Sequence, residues 1–143
     1  MSLHLHLRTT QDIPASPDRV RAAAASTRLA YAALTALLLS ALVFEVAEHG
    51  HWGAALAGLV AADLSLAFGA GAGLAPGQLH PRAVLLYNAV HRFWGPVILM
   101  GVASAGVLGP GWFILGLAWA LHVALDRTVG YGLRDRDGHQ RGR

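Results

Sequence analysis

The chain has 143 residues, 55% of them hydrophobic and only 13% charged, with a formal net charge of +3. A soluble domain carries about 25% charged residues, so the composition points to one compact membrane unit. No cysteine is present, which excludes disulfides, iron–sulfur clusters and thiolate zinc sites; every basic residue is arginine, clustered toward the chain ends without aromatic interleaving, which argues against nucleic acid as a partner.

In chain order, residues 1–25 read as a polar, mobile arm (HLHLRTTQDIPASPDRVR), too polar for the core of a signal peptide. A first membrane helix is predicted over about 26–48 and ends at the turn HGHWG. The second runs over about 52–74, closed by the Gly-rich AFGAGAGLAPG. Pro81 opens a third that reaches about residue 108, with Gly95 and Pro96 kinking it and making room beside His91. After GPG, the fourth covers about 112–131. Gly130 and Gly132 in GYGL suit a helix C-terminal turn. Residues 134–143 are charged and Gly-rich, and read as disordered.

The fold class is therefore all-α: a transmembrane bundle of four helices over residues 26–133, with small residues that let helices approach and that suit a homo-oligomer. Arginines flank the first helix start, the second-to-third loop and the chain end, whereas HGHWG and GPG have none. The positive-inside rule then puts both termini in the cytoplasm of a multi-pass protein, here of the bacterial inner (plasma) membrane. Trp94, Trp112 and Trp119 read as packing or interface residues.

Ionisable residues inside apolar runs carry the functional signal, because charge at membrane depth is costly. Four stand out: Asp63, His91, His122 and Asp126. His122 and Asp126 are four apart and share a helix face. Counting the helical rise from each end puts all four in the cytoplasmic half, within roughly two turns of each other. Tyr87 and Asn88 lie one turn below His91. Glu45, Glu48 and His49 end the first helix on the other side; Glu45 and His49 could bind a metal, but they suit interfacial groups that reach water.

DLS at Asp63–Ser65, YNAVH at Tyr87–His91, Pro96 and HVALDRTVGYGL at His122–Leu133 resemble a small integral-membrane family known as domain of unknown function 4260. The likeness covers roughly residues 28–133. It implies a four-helix membrane protein with a shared His and Asp set, and supplies no activity. Ala30 stands where such proteins tend to carry Glu, and GHQRGR, with His139, where they tend to carry a Thr-His-Leu-Gly element. The layout is also similar to small bacterial membrane proteins described as metal-dependent hydrolases.

Three functions fit these residues. In the first, Asp63, His91, His122 and Asp126 hold a divalent ion (Zn, Mn or Fe) for hydrolysis of a lipid or lipid-linked phosphate. A carboxylate, Asp63 or Asp126, serves as base, and Tyr87, Asn88, Arg92, Arg127 and Tyr131 contact substrate. In the second, His91 and His122 are axial ligands of a haem in a membrane anchor or electron carrier. The third is a proton or ion pathway, or a subunit of a larger membrane complex. The bland alternative is that the four residues glue helices by hydrogen bonds, with Asp126 paired to Arg127 or Arg92.

Overall fold

A computed structural model describes residues 16–141 and is all-α among them: α1 (Pro17–His49), α2 (Trp52–Ala61), α3 (Leu64–Gly69), α4 (Pro81–Val90), α5 (Trp94–Ser104) and α6 (Pro110–Val129). The only β feature in that range is an isolated bridge between Arg134 and Gln140. The six segments form four rods, because α2 with α3 and α4 with α5 are each one rod interrupted by a break.

α1 begins at Pro17, well before the start at 26 expected from polarity. Proline lacks the N–H that the first helical position leaves unpaired, Asp18 favours the positive helix start, and the AAAA run that follows is strongly helix-forming. Of the expected mobile arm, residues 16–25 thus belong to this helix start, and residues 1–15 lie outside the described residues. At the other end, Gly50 adopts a left-handed φ of 71° and its N–H caps the Val46 carbonyl.

Both internal breaks have local causes. In the second rod the backbone tightens around Asp63, whose N–H bonds Val60 O at 3.0 Å while Leu66 N–H bonds Asp63 O at 2.9 Å. These three-residue bonds are a short 3₁₀ step, a device often found at functional positions. The rod then stops at Gly69, short of the expected residue 74. In the third rod, Pro96 has no N–H for the carbonyl four residues earlier, and the helix opens at His91–Phe93. The expected kink is thus a full interruption, and α5 ends at Ser104 rather than near 108.

α6, rather than chain order, organises the bundle. It runs antiparallel to α1, where Thr35 and Thr128 share a hydroxyl hydrogen bond of 3.2 Å. It runs parallel to α2 and antiparallel to α5, whose Pro96 and Met100 lie against Gly116. Gly58 makes the α2 approach close: a Cβ there would collide with the Leu115 carbonyl and lie 2.8 Å from the Ala118 methyl. Leu42, Val46, Ala55, Ile114, Leu117, Ala118 and Leu121 form the core between α1, α2 and α6.

Pro17–His49, Trp52–Gly69 and Pro110–Val129 are each long and apolar enough to cross a bilayer, and this is a membrane protein. Leu37, Val43 and Phe44 of α1 are exposed, as lipid-facing side chains must be.

Where composition leads one to expect disorder after residue 133, residues 130–141 fold back as a strap over α4. Gly130, at φ 92°, ends α6 and turns the chain. Asn88 then clasps Arg134 twice: Arg134 N–H donates to Asn88 Oδ1 at 2.8 Å, and Asn88 Nδ2 donates to Arg134 O at 2.9 Å. Gly138 lies flush on Leu79, where a Cβ would strike the backbone, and Leu79 N–H donates to Gly138 O at 3.0 Å. Only residues 142–143 of the expected tail lie outside the described residues.

Candidate metal centre

The two backbone breaks and the last turns of α6 face one another, and the four ionisable residues meet there. His122 and Asp126 project from one face of α6, Asp63 comes from the break in the second rod, and His91 from the break in the third. His122 Nε2 lies 3.5 Å from Asp63 Oδ1 and 3.7 Å from Asp126 Oδ2. His91 Nε2 lies 3.9 Å from Asp63 Oδ1 and 3.6 Å from Asp126 Oδ2. The ligating atoms of Asp63, His91 and His122 all fall within 4.8 Å of one another.

These separations decide between two readings of the cluster. A hydrogen bond from an imidazole N–H to a carboxylate oxygen spans about 2.7–3.2 Å. None of the four contacts is that short, and both Nε2 atoms are buried with no hydrogen-bond partner among the described residues. Leaving such atoms unpaired is expensive, so helix glue explains them poorly. Ligand bonds of about 2.0–2.1 Å in a tetrahedron place neighbouring ligand atoms roughly 3.3–3.4 Å apart. The four histidine–carboxylate edges, at 3.5–3.9 Å, are a few tenths of an ångström wider, a gap that small side-chain shifts close. The Asp63, His91 and His122 group could therefore hold a metal ion.

The surroundings prepare His91 for that role. Its Nδ1 lies 2.9 Å from the Tyr87 carbonyl. A carbonyl only accepts, so the proton sits on Nδ1 and the Nε2 lone pair faces the cluster. The Tyr87 ring stacks on the imidazole at 3.9 Å. At the break, two freed carbonyls are claimed by α6 side chains: Trp119 Nε1 donates to Val90 O at 2.6 Å, and Arg127 Nη2 donates to His91 O at 2.7 Å. These bonds fix the non-helical turn that carries His91.

Charge is compatible with this: two ionised carboxylates beside two neutral imidazoles would leave net negative charge at the cluster, which a divalent cation would cancel. A haem fits less well. The two imidazole centroids are 5.5 Å apart, and Asp63 and Asp126 stand in the belt between the rings that a macrocycle would need.

The cluster is not sealed. Asp126 is mostly covered, whereas Asp63 is half exposed and opens onto a cavity of about 330 Å³. Asp63, Asp126, Tyr87, Tyr131, Arg134 and Gln140 line it, with Leu66 at its apolar edge. Of the residues expected to touch substrate, Tyr87 and Tyr131 do line this cavity. Asn88 instead clasps the strap, Arg127 is engaged with the His91 and Tyr131 carbonyls, and Arg92 is exposed and outside the lining. Glu45 and His49 stay apart at 3.9 Å from each other at the far end of α1.

Sequence reasoning missed Arg134 and Gln140, which the strap carries into the cavity wall. The one signal was the pair Gly130 and Gly132, which lets the chain reverse just before Arg134. Ala30 is exposed on α1, which contributes nothing to the cluster, and His139 is exposed on the strap.

The chain belongs to the family described as Domain of unknown function (DUF4260), whose model matches residues 27–142. No curated protein and no solved structure matches it.

Proposed function

We propose that this member of the DUF4260 family is a membrane-embedded, metal-dependent hydrolase acting on a lipid or lipid-linked substrate. The observation that carries the reading is the convergence of two buried, unpartnered Nε2 atoms and two carboxylates, at spacings too long for hydrogen bonds and close to those around a shared ion. Imidazole with carboxylate suits Zn, Mn or Fe. When bound, such an ion supplies Lewis-acid polarisation of the scissile group and activation of water.

The chain's own groups divide the remaining tasks. His91, oriented by the Tyr87 carbonyl, and His122 on the continuous α6 are the fixed ligands. Asp63, whose carboxylate groups with both imidazoles within 4.8 Å, would complete the ligand set. Asp126 also borders the cavity and lies 3.6 and 3.7 Å from the two imidazoles, so it is the remaining carboxylate, placed to take a proton from water. Leu66 and the two tyrosines give the substrate a partly apolar berth.

We also propose that all four rods span the bacterial inner membrane with both termini cytoplasmic. Arginine placement at the ends and at Arg82 supports this, as does an even number of rods. The cavity then opens toward the cytoplasmic headgroup layer, where a lipid substrate would present its polar end.

Elemental and absorption analysis of detergent-purified protein, beside a His91→Ala, His122→Ala double variant, tests the ion. The expected result is a stoichiometric Zn, Mn or Fe signal that the double variant loses and Asp126→Asn largely keeps, with metal-dependent lipid hydrolysis abolished by Asp126→Asn. Metal-free wild-type protein, or full metal in the double variant, sinks the reading.

A further inference from the structure

Among the described residues, Arg134 is a buried cation with no carboxylate partner. Its residue is 8% exposed. Its Nη1 donates to Gly77 O at 2.6 Å and to Gly138 O at 2.8 Å, both neutral carbonyls. Its guanidinium carbon sits 4.9 Å from the centre of the Tyr87 ring. Every ion pair among the described residues involves a histidine, so no carboxylate of those residues lies within pairing distance of Arg134. Its Nε is buried without a hydrogen-bond partner, and so is Gln140 Oε1 across the isolated bridge. Leaving a buried charge in this state is costly unless something else supplies the opposite charge.

The cavity that Arg134 lines is lined as well by Asp63 and Asp126 of the cluster. Two ionised carboxylates, two neutral imidazoles and a divalent ion sum to zero charge. Arg134 then leaves the cavity positive. We propose that the cavity takes a phosphate or phosphomonoester, with one oxygen toward the ion and others toward Arg134. The proposal rests on the ion reading above and names the substrate class for it. A carboxylate is planar and its two oxygens serve one partner. A phosphate is tetrahedral, carries up to two charges and offers oxygens to both the ion and Arg134, and arginine's planar fork suits it. A cavity of about 330 Å³ is at the small end of ligand sites, right for a headgroup and too small for a polymer. Arg134, not the Arg92 or Arg127 expected from sequence, is thus the anion clamp; the strap exists to deliver it.

Titration of inorganic phosphate into metal-loaded, detergent-purified protein, followed by calorimetry with metal content measured on the same samples, tests this. Wild-type protein should bind phosphate at micromolar to low millimolar concentration. Arg134→Gln should weaken binding roughly tenfold to a hundredfold with metal content unchanged, the range expected for losing a charge-assisted hydrogen bond. Gln140→Glu leaves Arg134 and its carbonyl contacts in place and adds a negative charge to the wall. It should weaken phosphate by a similar factor, which keeps the test open if Arg134→Gln fails to fold. Arg136→Gln, exposed on the same strap, should change nothing. Metal-replete protein that ignores phosphate, or variants that bind it like wild type, overturn the anion site and leave the ion reading standing. Protein that holds no metal overturns both. Displacement of phosphate by phosphatidic acid in phosphatidylcholine nanodiscs assigns the lipid as source. Displacement only by a soluble phosphomonoester such as glycerol phosphate assigns a soluble substrate; either supports the phosphate class.

Discussion

Arg127→Met separates a residue that touches substrate from one that holds the backbone of His91, a ligand in the proposed metal site. Methionine keeps most of the apolar stem and removes both donors. The bond to Tyr131 O is exposed and its loss costs at most about 0.5 kcal/mol. The bond to His91 O, at 2.7 Å, matters more. Hydrogen bonds between membrane helices average about 0.6 kcal/mol and reach about 1.7, the low average arising because partners are easily replaced. At the His91 break no helical N–H is available as a substitute, so the upper end applies, and the total loss is about 1.5–2 kcal/mol. The same carbonyl lies in the turn that aims His91, so metal affinity should fall as well, by about tenfold to a hundredfold, as for other groups that orient a ligand. Denaturant-detergent unfolding of the metal-free protein measures the first effect, and competition with a chromogenic chelator measures the second. A variant that is less stable yet binds metal like wild type would refute the orienting role. One that is unchanged in both would show that the bond is not made.

Two further changes probe the frame and the strap. Gly58→Leu should push α2 off α6 and cost about 1–3 kcal/mol in the same unfolding assay, whereas Gly53→Leu, which has open space around its Cβ position, should be nearly silent. Asn88→Leu removes both bonds to the Arg134 backbone; at about 1.4 kcal/mol for the pair, the strap should open roughly ten times more often. Trypsin cleavage after Arg134 and Arg136 reports this directly, and cleavage rates equal to wild type would mean that Asn88 does not hold the strap.

The cluster was legible because its four members sit in apolar runs, where each charge must have a reason, and because helical rise converts sequence position into depth. That counting placed Asp63, His91, His122 and Asp126 at one level, and their side chains do converge. It could not foresee that two rods are interrupted there. The Pro96 signal was visible, but a proline inside an apolar run reads as a kink; the opening at His91 depends on Trp119 and Arg127 reaching across from α6, contacts remote in sequence. The strap was hidden for the same reason. RDRDGHQ has no hydrophobic period, and its order comes from single contacts such as Asn88 with Arg134 and Leu79 with Gly138. Polarity likewise hid the start of α1, since helix propensity in the alanine run outweighs the arginines beside it.

The borrowed partners at the His91 break bear on how the protein is made. A helix that enters a bilayer alone must satisfy its own backbone, and α1 and α6 can. The rod of α4 and α5 cannot, because the Val90 and His91 carbonyls depend on Trp119 and Arg127, which are synthesised later. On the four-span reading, the third rod has to wait at the translocon or the membrane surface until α6 emerges, and the two then enter as a hairpin. On that reading biogenesis is coupled to completion of the site: a chain truncated before residue 119 should not merely lack two members of the cluster but fail to hold its third rod in the membrane.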